Sequence, residues 1–328
     1  MQHPLSKPKV LLVDDDHVFL HVYTTILQQH FVTHGAQSPE EALEKLSMEG
    51  PYAVVVTDLN MPELNGLDFL RQVSRLAPRT KKILFTGKPD LDSVQPELLL
   101  PLVKKNTVVL LLQNGINIEP EISQIIGSNA LIGGLCFVCS NKVGAGKICN
   151  LDYGCTISIG QYFPNNRPAG ITEQMREIAQ DFEQANIPIE LSEDLLLARW
   201  KKLVWNIPYN GLSVVLNART DEIMANTDTR FLVEKLMWEV AAGANSCGRI
   251  IDDRFIQKML YHTEKMKPYL TSMKLDYDRK KPLEIEAILG NALRMAQEAG
   301  VDLPMISLLY RQLKFLDFRN QLVPLPGS

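Results

Sequence analysis

Short apolar runs alternate with longer amphipathic stretches over the first 190 residues of the chain. Residues 10–13, 53–56, 83–85, 107–112, 131–138, 156–159 and 187–190 are brief and rich in Val, Ile and Leu, the pattern of strands buried on both faces. Between them, residues 18–27, 42–46, 67–76, 92–103 and 172–184 repeat their apolar positions at helical spacing. This βαβα rhythm predicts an α/β fold with a doubly wound parallel sheet covered by helices on both sides. One helix start is explicit: Ser38 caps, Pro39 takes the first helical position and Glu41 completes an S-x-x-E box. The Pro- and Asn-rich segment 162–170 reads as a loop. From Ser192 onward the pattern changes, and residues 195–217, 229–247, 253–267, 283–299 and 306–316 predict an all-α C-terminal domain.

Composition narrows what such a fold does. With 328 residues the chain is long enough for about two domains with full cores. Thirty-four Lys and Arg against thirty-eight Asp and Glu give a net charge of −4, without the basic excess that nucleic-acid binding requires. No apolar run approaches the roughly 18 residues that span a bilayer, and the first ten residues hold no long apolar segment, so a cytoplasmic protein is expected. Five cysteines, an odd number, fit reduced thiols without disulfides. Cys136, Cys139, Cys149 and Cys155 raise the alternative of zinc, but the first two lie in or beside the apolar run 131–138, which favours packed thiols.

Two sets of residues carry chemistry. In the first, one strand ends in Val13-Asp14-Asp15-Asp16 and another in Thr57-Asp58-Leu59-Asn60-Met61-Pro62. Parallel strands bring their C-terminal ends to one edge, where these carboxylates converge and call for a hard cation such as Mg²⁺. Taken alone, Asp14 to Asp16 read equally well as a solvated helix cap. Together with Thr86 after the next strand, they make residues 8–87 resemble the receiver domain of two-component response regulators. The resemblance implies Asp58 as phosphoacceptor, Asp14, Asp15, Asp58 and Asn60 as the Mg²⁺ site, Thr86 as a hydroxyl switch, and a histidine kinase as partner. Where a receiver carries a Lys at the end of its next strand, this chain reads Gln113-Asn114-Gly115.

In the second set, Lys202, Asn206 and Asn210 stand at i, i+4 and i+8 within Arg199-Trp200-Lys201-Lys202-Leu203-Val204-Trp205-Asn206, and so form one stripe on a helix. The plain alternatives are a solvated face for Lys201 and Lys202, and a helix cap for the two Asn at a break caused by Pro208. With Lys88, Asn114, Ser272 and Glu284, the stripe makes the chain from Lys88 to its end resemble the ketopantoate reductase (2-dehydropantoate 2-reductase) family. That resemblance implies NADPH-dependent reduction of ketopantoate or a related 2-oxo acid by a homo-oligomeric enzyme of pantothenate synthesis. Hydride arriving at a ketone carbon leaves an alkoxide, and a partly desolvated Lys can protonate it. By resemblance Lys202 is that acid and Glu284 holds the substrate hydroxyl and orients the acid. Ser272, Asn206 and Asn210 bind the substrate, and Lys88 and Asn114 line the reacting edge.

One family feature is replaced. A reductase of this kind opens with a glycine-rich turn after its first strand, where backbone N–H groups hold the cofactor pyrophosphate. Here that turn contains three Asp and no Gly, and the later cluster Gly144-Ala145-Gly146-Lys147 reads as a turn between strands. The chain therefore reads as a composite: a receiver-like segment 1–87, the remainder of a Rossmann-like domain 88–191, and a helical substrate and dimerisation domain 192–328. A receiver places its third strand beside its first, whereas the reductase places the joining strand there, and the sequence leaves the order open. Three functions also stay open: a reductase, a receiver-type signalling or binding protein, and a fusion that has lost both activities.

Overall fold

The computed structural model describes residues 7–59, 61–84, 107–128, 131–137, 140–144, 147–150 and 156–322. The chain divides into two compact units, residues 1–108 with 142–149 and residues 109–141 with 150–328.

The first unit runs β1 (Lys9–Val13), α1 (His17–Leu27), β2 (Val32–Ala36), α2 (Pro39–Glu49), β3 (Val54–Thr57), α3 (Gly66–Leu76) and β4 (Lys81–Leu84). The strands are parallel in the order β2-β1-β3-β4. Strand β1 explains the double winding: Leu11 and Val13 join a core with Ala42 and Leu46 of α2 and Phe69, Leu70 and Val73 of α3, while Val10 and Leu12 cluster with Leu20 of α1. The third strand lies beside the first, so the order left open by the sequence is that of a receiver. The register pairs Val13 with Thr57, which brings the next residues, Asp14 and Asp58, to the same sheet edge.

Two details depart from expectation. Ser38 does cap α2, accepting from the Glu41 N–H, but the Glu41 carboxylate reaches the N–H of Gln37 instead of closing the box on Ser38. Strand β2, sequence VTHGA, has no apolar run to announce it and sits at the sheet edge, where a weak pattern is tolerated. The predicted helix 92–103 lies outside the described residues.

The second unit contains β5 (Val109–Leu111), α4 (Glu119–Ile126), β6 (Leu131–Phe137), β9 (Thr156–Gln161), α5 (Glu173–Gln184) and β10 (Ile189–Leu191). Its sheet has the order β10-β9-β6-β5, with β6 and β9 antiparallel and the outer pairs parallel. Strands β7 (Ser140–Gly144) and β8 (Lys147–Asn150), most of whose residues group with the first unit, pair as a two-stranded sheet; residues 145–146 between them lie outside the described residues. The helical part follows as α6 (Leu195–Val215), α7 (Thr220–Ala225), α8 (Thr227–Ser246), α9 (Asp253–Lys265), α10 (Ser272–Asp278), α11 (Asn291–Glu298) and α12 (Pro304–Leu322).

Helix α6 is the axis of this part. Asp194 caps it by accepting from the Leu197 N–H, and α8, α10 and α12 pack around it. It runs unbroken through Pro208, so the break proposed from the sequence does not occur; packing of Trp200, Leu203, Val204, Ile207 and Leu212 in the core holds the helix across the missing donor. The helix expected over 283–299 instead opens with a π-helical turn, Glu286–Gly290, in which the Asn291 N–H reaches back five residues to the Glu286 carbonyl. Among the described residues no helix is long and apolar enough to cross a membrane.

The N-terminus of α3 gives the sharpest local test. Gly66 donates its N–H to the Leu59 carbonyl at 2.9 Å, and a Cβ at this position would lie 1.9 Å from the Asp58 carbonyl oxygen. Gly66→Ala is expected to destabilise the first unit by about 2–3 kcal/mol in urea unfolding; an unchanged transition would contradict the packing described.

Candidate functional site

The stripe on α6 forms as the sequence predicts, and it is buried. Lys202, Asn206 and Asn210 are 8%, 7% and 2% exposed, which removes the reading of Lys202 as a solvated surface residue. Lys201 differs: it is only partly buried, and its ammonium sits 5.5 Å from the centre of the Phe255 ring. Lys202 Nζ donates to the carbonyl of Cys136 at the end of β6 (2.9 Å) and lies 5.5 Å from the centre of the Phe137 ring. Burial pushes the Lys202 ammonium from its ordinary value of 10.5 down to about 8; the charge of Arg199 adds to that, while Cys136 and Glu284 oppose it.

A second group comes from distant sequence. The Asn114 side-chain amide donates to Glu284 Oε2 at 3.2 Å across 170 residues of chain. Burial raises the Glu284 carboxyl above its usual range, whereas the Asn114 hydrogen bond and the Lys202 charge draw it down. Asn210 Oδ1 is buried and has no hydrogen-bond partner, a cost that a bound hydroxyl or water would relieve. Ser272 is the exposed first residue of α10, while its neighbour Thr271 is buried and shares a 2.7 Å hydrogen bond with Ser213 of α6. Lys88 lies outside the described residues. The structure thus gathers Lys202, Asn206 and Asn210 on one helix face and joins Asn114 to Glu284 within electrostatic reach of Lys202.

Sequence reasoning missed the group that positions Asn114. Arg199, one turn before Lys202, is buried and paired with buried Glu119 of α4 through both Nε and Nη2. Its Nη1 donates to the carbonyls of Gln113 (2.9 Å) and Gly115 (3.1 Å), on either side of Asn114. From the other side, the Ile116 N–H donates to the Ala287 carbonyl and Asn291 Nδ2 to the Ile116 carbonyl, at 2.9 and 2.7 Å. Gly115 makes this approach possible: its φ is +106°, and a Cβ would fall 2.5 Å from the Ala287 oxygen. Arg199 lies one turn before Lys202 on the same helix, but nothing in the sequence pairs it with Glu119 eighty positions away.

The acidic edge of the first unit is a separate feature. Asp14 is buried, and its carboxylate accepts from the Asp16 N–H at 2.8 Å. Burial raises its pKa from 3.8 to about 6; the Asp16 N–H pulls the other way, and the charges of Asp58, Asp15 and Asp16 raise it further. These neighbouring negative charges make the edge favourable to cations and unfavourable to anions. Among the described residues no three His, Cys, Asp or Glu side chains cluster closely enough to hold a metal ion. Asn60 and Thr86, the remaining receiver positions, lie outside the described residues.

Known proteins of two kinds resemble the chain. Family models match for the response regulator receiver domain over residues 10–99, ketopantoate reductase PanE/ApbA over 72–162, and the ketopantoate reductase PanE/ApbA C terminal over 194–317. A 2-dehydropantoate 2-reductase of Nostoc sp. is 56% identical over 264 residues, covering 80% of this chain and 81% of that protein. The crystal structure of 2-dehydropantoate 2-reductase from Geobacter metallireducens has a TM-score of 0.67 and 28% identity, covering 94% of this chain and 99% of that one. A D-mandelate dehydrogenase in complex with NADH shares the fold at a TM-score of 0.67 and 15% identity, covering 95% and 99%.

The Arg199–Glu119 pair is open to a direct test. Arg199→Met leaves a buried carboxylate unpaired and is expected to cost about 3–5 kcal/mol of stability, most of it regained when Glu119→Leu is added. A single variant within about 1 kcal/mol of the parent would show that the pair does not hold the loop.

Proposed function

The chain belongs to the ketopantoate reductase family, with a receiver domain over its first part, and on that premise we propose that its second unit binds a small 2-oxo acid, ketopantoate or a near relative, and holds a proton for the ketone oxygen at Lys202 Nζ. The observation that carries this reading is the buried Lys202 ammonium within electrostatic reach of the partly buried Glu284–Asn114 pair. An ammonium with a pKa of about 8 is mostly charged at pH 7, yet close enough to neutrality to give up its proton readily. Glu284, steadied by Asn114, accepts from a substrate hydroxyl. Asn206, Asn210 and Ser272 supply amide and hydroxyl groups for the carboxylate and remaining oxygens, the unpartnered Asn210 Oδ1 among them. Lys88 is assigned to the substrate by family resemblance alone. The division of labour we propose is a receiver-like segment 1–87, a Rossmann-like remainder 88–191 and a helical substrate and dimerisation domain 192–328.

In reductases of this kind NADPH supplies the hydride. The turn after β1 does not fit its pyrophosphate: it carries three carboxylates and no glycine, and the Asp16 N–H is already taken by Asp14. The chemistry assigned here is accordingly limited to binding the acid, orienting it and holding the proton.

Calorimetric titration of the full chain with ketopantoate is expected to show saturable binding that weakens as pH rises through about 8, where Lys202 loses its charge. Lys202→Met and Glu284→Gln should each weaken binding by about tenfold or more. For Lys202→Met, stability should not fall at pH 7. The folded-state pKa lies below the ordinary one, so the charged form costs the fold roughly 3 kcal/mol, a cost that vanishes as pH rises from about 8 to 10.5. Absence of binding in the parent, or binding indifferent to both substitutions, would overturn the assignment.

A second reading rests on the receiver strand order and on Asp14 and Asp58 at one edge. It makes Asp58 a phosphoacceptor for a histidine kinase, with Mg²⁺ held by Asp14, Asp15, Asp58 and Asn60 and with Thr86 as the switch. Beryllofluoride with Mg²⁺ should then perturb the amide resonances of Asp14 and Asp58 in the parent and not in Asp58→Asn. No perturbation in the parent would dismiss it.

A further inference from the structure

We propose that this chain takes up its 2-oxo acid without a dinucleotide and acts as a binding protein for small 2-oxo and 2-hydroxy carboxylates. The proposal rests on the substrate reading above and departs from the family in the cofactor. It follows from two independent observations, one in each unit.

In a doubly wound sheet the ligand crevice opens at the C-terminal strand ends where the strand order reverses. With the order β2-β1-β3-β4, that point in the first unit lies between β1 and β3. Both strands end there in a carboxylate, Asp14 and Asp58, and Asp15 and Asp16 add two more on the exposed approach to α1. A pyrophosphate needs unoccupied N–H donors and backbone free of Cβ atoms at this place. The Asp16 N–H is spent on the Asp14 carboxylate, and no glycine occurs from Asp14 to His34. The carboxylates, the occupied Asp16 N–H and the missing glycines all oppose a pyrophosphate at this edge.

The described groups of the acid site, in contrast, all belong to the second unit. Lys202 is held by the Cys136 carbonyl and the Phe137 ring, Glu284 by Asn114, and Asn114 by the backbone contacts that Arg199 secures. None of these contacts draws on a dinucleotide. The unsatisfied Asn210 Oδ1, on a residue 2% exposed, marks an acceptor waiting for a hydroxyl donor on the same helix face as the Lys202 cation. A 2-hydroxy carboxylate brings that donor together with the negative charge the cation selects.

The test uses the full chain. NADPH and NADH are titrated by nicotinamide fluorescence, and ketopantoate and pantoate by calorimetry, each acid with and without about 1 mM NADP⁺. The expected result is saturable acid binding that NADP⁺ changes by less than about twofold, lost about tenfold or more in Lys202→Met, with neither reduced dinucleotide saturating below about 1 mM. Micromolar saturation by NADPH or NADH, or acid binding that appears only with NADP⁺ present, would overturn the proposal while leaving the substrate reading intact. Failure of both acids to bind under either condition would overturn the substrate reading and this proposal with it.

Discussion

The Arg199 guanidinium is the contact on which the second unit's chemistry depends. It is buried, it is neutralised by an equally buried Glu119, and its remaining donor grips the backbone on both sides of Asn114. A buried pair of this kind adds little net stability compared with an apolar replacement, since desolvation offsets most of the attraction. Its effect is geometric. By fixing the Gln113–Gly115 backbone it places the Asn114 amide against Glu284, and its charge helps hold the Lys202 ammonium at about 8. Helix α6 then links cause to consequence, because Arg199 and Lys202 share it one turn apart.

The two units treat charge in opposite ways. In the second, cation and carboxylate are each desolvated and kept near one another, an arrangement suited to a small polar ligand with one negative charge and one hydroxyl. In the first, carboxylates crowd the place where a dinucleotide-binding sheet offers free N–H groups, and the most buried of them is pushed up to about 6 by burial and by its neighbours' charges. Sequence similarity to reductases covers most of the chain, yet the family models for the reductase begin at residue 72, beyond this edge. Family membership and the absence of a glycine-rich turn are therefore compatible: the residues matched by the reductase models are retained, and the turn after β1 lies within the segment matched by the receiver model.

Much of this was legible in the chain because it depends on local spacing. The i, i+4, i+8 stripe of Lys202, Asn206 and Asn210 fixes a helix face whatever surrounds it, and the alternating burial of β1 follows from an uninterrupted apolar run. Features set by tertiary context were hidden. Pro208 reads as a helix breaker, and only the packing around Trp200 and Leu212 shows why α6 continues. Strand β2 forms through its pairing with β1, not through its own residues. The Arg199–Glu119 pair joins segments eighty residues apart that no short-range pattern connects.

The central claim is that a buried Lys202 forms the heart of an acid-binding site, and lysine-¹³Cε NMR of the full chain tests it most directly. The account predicts one lysine resonance titrating near 8, absent from Lys202→Met, whose midpoint moves upward when ketopantoate saturates the site because the bound carboxylate favours the charged form. A spectrum in which every lysine titrates at its ordinary value, or in which the low midpoint ignores the acid, would contradict it.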